Sequence, residues 1–99
     1  MITLQTIRDD LNEIRYYYSR KDVFDKASDC IGKNVIVDKV KKYNDLICFA
    51  EPKLYELYLC LYVNNNTQEG AAEELNYSVD YIVKGKKRLF KFFFDKLNA

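Results

Sequence analysis

Apolar residues recur at helical spacing along most of this chain. Leu4, Ile7, Leu11, Ile14 and Tyr18 follow one another at steps of 3, 4, 3 and 4, which lays one stripe along a helix starting near Thr3. Two heptads leave a dimer seam open, but the simpler reading is a stripe that covers the chain's own core. Tyr16, Tyr17 and Tyr18 point to three sides of that helix, so at least one phenol is half exposed or covered by another element. The polar stretch from Ser19 to Asp29 either continues the helix or breaks near Arg20. Cys30-Ile31-Gly32-Lys33-Asn34 reads as a linker, because Gly32 and Asn34 are helix-ending residues. A second periodic run covers Val35 to Ala50, with Ile36, Val40, Tyr43, Ile47 and Ala50 in register. Pro52 suits the first position of a third helix, where a missing N–H costs nothing. Leu54 to Val63 is apolar on nearly every side and predicts a buried central helix. Asn64-Asn65-Asn66 ends it.

The stretch from Thr67 to Phe94 has a different grammar. Thr67 is a natural N-cap, since its hydroxyl accepts from unpaired N–H groups of the first turn. Glu69 then suits the positive end of the helix dipole. Ala71, Ala72 and Leu75 form one apolar side, and the alanines are small enough for a close helix crossing. Asn76-Tyr77 makes a corner, with Asn able to take the left-handed conformation. Ser78 caps the next helix, with Asp80 in its first turn. Two short helices joined by a tight turn are predicted.

The segment TQEGAAEELNYSVDYIVKGKKRLFKF resembles the helix-turn-helix of region four of bacterial sigma factors. It is also similar to phage transcription regulators of the ArpU/RinA type. The likeness rests on Thr67-Gln68-Glu69, Ala72, Glu73-Glu74-Leu75, Ser78-Val79, Ile82 and the basic tail, with Leu54 to Tyr58 as the lead-in helix. Asn76 stands where the family usually has Gly, and no second sigma-like region accompanies the unit. The resemblance implies contact with double-stranded promoter DNA and with RNA polymerase.

Charge changes the picture only through its distribution. The 99 residues carry a net charge of +1, so bulk charge says nothing about nucleic acid. Yet Lys84, Lys86, Lys87, Arg88 and Lys91 cluster within eight positions, which makes a local basic patch. On a helical projection, Val79, Ile82, Val83, Phe90, Phe93 and Leu97 fall on one side, and Tyr81, Lys84, Arg88 and Lys91 on the other. Lys87 lies at the flank. Lys86 falls within the apolar side, so its stem must pack while the ammonium snorkels, or the helix bends near Gly85. The competing reading of the basic run is a solvated face whose lysines complement the helix dipole. Phe92 and Phe94 project to further sides, to be covered by the first helix or by a second copy.

Chemistry beyond binding finds little support. The chain has no His and three cysteines (Cys30, Cys48, Cys60) without a CxxC pair, which argues against a zinc site and for reduced, buried thiols. No Gly-rich phosphate loop is present, and Asp9-Asp10 and Glu73-Glu74 point to different helix faces. Neither catalysis nor a cofactor is expected. The N-terminus does not read as a signal peptide, and no apolar run is long enough to span a membrane, so a cytoplasmic protein is expected.

The expected fold is all-α, a single compact domain of about five helices. Residues 1–51 form the N-terminal helices and residues 52–97 the helix-turn-helix unit with its lead-in helix. The expected function is a small DNA-binding transcription regulator, and the resemblance implies that a phage or mobile element encodes it. Ser78, Asp80, Tyr81 and Lys84 are the candidates for base edges. Lys87, Arg88 and Lys91 are the candidates for phosphates, with Thr67 and Gln68 crossing the backbone. A homodimer would suit paired half-sites. The competing class is a protein-interaction module, such as an inhibitor or adaptor of a host factor, that reuses the fold without DNA.

Overall fold

In the computed structural model the described residues are 2–21 and 31–99, and for 31–35 the backbone alone is described. The first helix, α1, runs Leu4–Ser19, with Thr3 as the N-cap whose hydroxyl accepts from the Thr6 N–H. Ile7, Leu11 and Ile14 are fully buried, as the stripe predicts. Its ends differ. Leu4 is exposed, and Tyr17 rather than Tyr18 is the buried ring, while Tyr16 faces solvent. The helix stops at Arg20, which serves as its C-cap. The rest of the polar stretch to Asp29, and Cys30, lie outside the described residues.

Helix α2 runs Ile31–Ile47, so the expected linker over Ile31 to Asn34 is instead the helix's first turn. Gly32 and Asn34 are poor helix formers. In the first turn, however, the N–H groups have no intrahelical partner to lose, and the following apolar periodicity holds the element. Val40, Tyr43 and Ile47 are buried. Helix α3 runs Pro52–Tyr58 with Pro at its start and Glu51 as N-cap. It continues as a π-helical turn over Leu59–Val63, where the Asn64 N–H donates to the Leu59 carbonyl at 2.8 Å. Three consecutive side chains of this wide turn, Cys60, Leu61 and Tyr62, are buried. The expected central helix is therefore present, though Tyr55 and Glu56 face outward.

Helices α4, Gln68–Leu75, and α5, Val79–Leu97, complete the chain. The described residues thus form five helices and no strand. Leu57, Ile82, Leu89 and Phe93 bring α3 and α5 into one core with the α1 stripe and the buried side of α2. An ideal Cβ at Gly85 would stand 2.9 Å from Leu57 Cδ2. Gly85, a weak helix former by propensity, is what lets α5 come this close to α3.

Three tyrosines carry their hydroxyls through this core. The Tyr43 hydroxyl donates to Asp10 at 2.7 Å, and the Tyr58 hydroxyl to Asn44 Oδ1 at 2.7 Å. Asn44 in turn donates to the Tyr18 hydroxyl at 3.0 Å. Burial, reinforced by Asp10, pushes Tyr43 far above the usual phenol range. Burial does the same for Tyr58 and Tyr62. The chain ends are clasped: Asn98 accepts from the Ile2 N–H and donates to the Ile2 carbonyl, both at 2.9 Å. Of the cysteines, Cys60 is buried but Cys48 is exposed, which corrects the expectation of buried thiols at that position. Cys48 follows the buried Ile47, where the chain leaves the core.

Two tests follow from this core. Gly85→Leu should lower stability by about 1–3 kcal/mol, the usual range for overpacking, as Ala72→Leu should at the buried face of α4. Glu73→Ala, on the exposed side, should change chemical-denaturation midpoints little. Equal small effects at all three positions would contradict the close crossings.

For the phenols, the folded state holds protons that the unfolded chain releases above pH about 10. Their contribution is therefore fully present below that pH and is lost as pH rises from there through their raised folded-state range. Alkaline titration should show Tyr43, Tyr58 and Tyr62 ionising only together with loss of helical circular dichroism. Ionisation of all nine tyrosines with the helices intact would count against their burial.

Candidate nucleic-acid interface

The corner between α4 and α5 is built by local backbone chemistry. Thr67 caps α4, its hydroxyl accepting from the Gly70 N–H at 3.0 Å. At the other end Asn76 adopts φ 60° and ψ 40°, the left-handed conformation. The Tyr77 N–H then reaches the Ala72 carbonyl at 2.9 Å and the Asn76 N–H the Glu73 carbonyl at 3.4 Å. This pair of bonds is the Schellman arrangement, which satisfies the last carbonyls of a helix. Ser78 begins α5 directly afterwards, accepting from the Tyr81 N–H at 3.1 Å. Ala71 and Ala72 are buried beneath the corner. The start of α5 is left in solvent, with Ser78, Val79 and Asp80 all exposed.

Helix α5 is seated slightly differently from the projection. Its buried line is Ile82, Gly85, Leu89 and Phe93. Val79, expected on the apolar side, is 40% exposed, and Val83, Phe90 and Leu97 are half-buried. The Gly85 crossing is the reason, because it turns the helix until residue 85 faces α3. Phe92 is half-buried and packs edge-on to Phe93, with ring centroids 5.5 Å apart.

The candidate residues fall into distinct situations. Thr67, Ser78, Asp80, Lys84, Lys87, Arg88 and Lys91 are exposed, and Gln68 is half-buried. Thr67 and Ser78 are engaged as caps. Tyr81 is half-buried rather than fully outward. Its ring lies 4.3 Å from that of Tyr77, and the Arg88 guanidinium sits 5.8 Å from its centroid. Lys84 pairs with Asp80 one turn back at 3.1 Å, and Arg88 with Glu51 at 3.6 Å. Exposed pairs of this kind contribute about 0.2–1 kcal/mol, so a phosphate can displace them. Lys87 and Lys91 have no ion-pair partner among the described residues.

Three cations outside the expected set belong to the same region. Arg8 and Lys86 line one cavity with Lys87, and Arg15 donates to the Asn65 and Asn66 carbonyls at 3.3 and 3.4 Å. Lys86 is half-buried and its ammonium lies 5.8 Å from the Phe90 ring centroid. The stem packs, as expected for a snorkelling lysine. The sequence did hold a signal for the two arginines, which stand one heptad apart beside the apolar stripe of α1. Among the described residues no group of three or more His, Cys, Asp or Glu could hold a metal ion, and no helix is long and apolar enough to cross a membrane. Searches against protein-family models, curated proteins and solved structures match nothing to this chain.

Proposed function

We propose that the chain is a small DNA-binding transcription regulator whose recognition helix is α5. The observation that carries this reading is the exposed start of α5, set on a corner of a left-handed Asn and a Ser cap, followed by four solvent-facing cations. A helix so presented enters a major groove by its first turns. Ser78, Asp80, Tyr81 and Lys84 then meet base edges, and Val79 adds a methyl-bearing surface suited to thymine. Lys87, Arg88 and Lys91 meet phosphates, while Thr67 and Gln68 lie at the start of the helix that crosses the backbone. Resemblance to region four of sigma factors supports promoter DNA as the target and RNA polymerase as a second partner. A phage or mobile-element origin rests on the same resemblance. A homodimer would double the contacts across paired half-sites.

Affinity for duplex DNA should fall steeply with salt, at a log–log slope of about −0.9 per neutralised phosphate. Four cations on α5 give a slope of about −3 to −4 per monomer on that scale. Lys87→Ala and Lys91→Ala should each flatten it by about one unit. Arg88→Ala should flatten it less, since Glu51 already holds that guanidinium, and Glu51→Gln should tighten binding by freeing it. Val79→Ala should alter sequence preference more than the salt slope. Fluorescence anisotropy across a salt series measures all of these, and a flat response would instead support the protein-interaction module.

A further inference from the structure

A cavity of about 290 Å³ opens between α1 and α5, lined by Arg8, Asn12, Tyr62, Val83, Lys86, Lys87 and Phe90. Among the described residues its polar lining includes three cations and no carboxylate. At about 30 Å³ per water, the space holds about ten waters, enough for a phosphoryl group with part of its hydration shell. Neither Arg8, Lys86 nor Lys87 has an ion-pair partner among the described residues. Burial first, then repulsion from Arg8 and Arg15, holds the Lys86 ammonium below its ordinary range. Tyr62 also lines the cavity: its ring is buried, while its hydroxyl, which bonds to no described residue, reaches solvent. Arg8 and Arg15 both act electrostatically on that phenol.

Three cations without ion-pair partners among the described residues thus meet in one hollow, and the half-buried Lys86 is repelled by Arg8, an arrangement that an anion would neutralise. We propose that this cavity is an oxyanion-binding site for phosphate groups, distinct from the outer face of α5 and sharing only Lys87 with it. Arg8 offers a planar fork of N–H donors, Lys86 and Lys87 offer ammonium donors, and the Asn12 amide and Tyr62 hydroxyl complete a polar ring. Val83 and Phe90 form the apolar side, which weakens solvent screening of the half-buried Lys86. The phosphate comes either from a free phosphorylated small molecule or from a nucleic-acid backbone.

Pyrophosphate is the probe for the first source and a duplex oligonucleotide for the second, both at constant ionic strength. For wild type, pyrophosphate should raise the thermal midpoint above a chloride control and protect Lys86 from an amine-directed label read by mass spectrometry. Arg8→Gln and Lys86→Gln should bind pyrophosphate about tenfold or more weakly, the scale of a lost charge-assisted hydrogen bond. Without anion the same variants should be at least as stable as wild type, because each removes a repelled cation; a purely structural role would lower their stability. Lys84→Ala, on the outer face, should leave pyrophosphate binding unchanged. Protection of Lys86 by pyrophosphate assigns a free phosphorylated ligand, and protection by duplex alone assigns backbone phosphate. If neither protects Lys86, or if the Arg8 and Lys86 variants respond to anions as wild type does, the site is refuted, whatever the outer face of α5 binds.

Discussion

Phe93 is the side chain on which the arrangement of this molecule turns. Its ring meets Tyr43 edge-on with centroids 4.9 Å apart and Tyr58 with centroids 5.9 Å apart. Aromatic contacts of this geometry add about 0.5–1.5 kcal/mol each beyond the area they bury. Their larger consequence is directional, because a phenol buried in a core must deliver its hydroxyl to a partner. Tyr43 delivers it to Asp10 on α1, and Tyr58 to Asn44 on α2, which also holds Tyr18 of α1. One ring from α5 therefore fixes α2 and α3, and their hydroxyls fix α1. Lys39 reinforces the same junction by pairing with both Asp10 and Glu13.

Gly85 sets the remaining degree of freedom. With Phe93 buried, α5 can still rotate by a fraction of a turn, and the absence of a side chain at residue 85 selects the rotation that seats it on Leu57. That rotation moves Val79 into solvent and draws Tyr81 halfway in, beside Tyr77. It also turns Lys86 toward α1 instead of leaving it within the core. The residue that costs helix propensity thus decides which side chains α5 presents on each flank.

What could be read from the sequence divides along the same line. The caps at Thr67 and Ser78, the helix start near Thr3, the left-handed Asn76 and the Pro52 start depend on residues within one turn of each other, and all of them are legible locally. The apolar stripes of α1 and α2 are equally local. The rotation of α5 is not, because periodicity counts glycine as neutral and cannot see Leu57 across the interface. Gly32 and Asn34 mislead for a related reason: the propensities that mark helix ends are small beside the tertiary contacts of the helix that follows. The pairing of Arg88 with Glu51 joins residues far apart in sequence, and no spacing rule announces it.

Charge shows most plainly how folding rearranges what composition averages out. A net charge of +1 describes a chain whose carboxylates are nearly matched to its cations, yet they are not spread evenly over the surface. Asp10 and Glu13 are committed to Lys39, Glu51 to Arg88, and Asp80 to Lys84. Among the described residues, Arg8, Lys86, Lys87 and Lys91 are left along the seam of α1 and α5 without such partners. On the readings proposed above, Lys87 stands at the boundary between the cavity and the outer face of α5. A phosphate drawn inward takes Lys87 from any phosphate outside, so the two sites oppose each other. Such opposition is reciprocal: whatever weakening one anion causes in the binding of the other, it suffers in equal measure. A single lysine at a helix flank would then make the binding of a duplex responsive to a small anion with no change in fold.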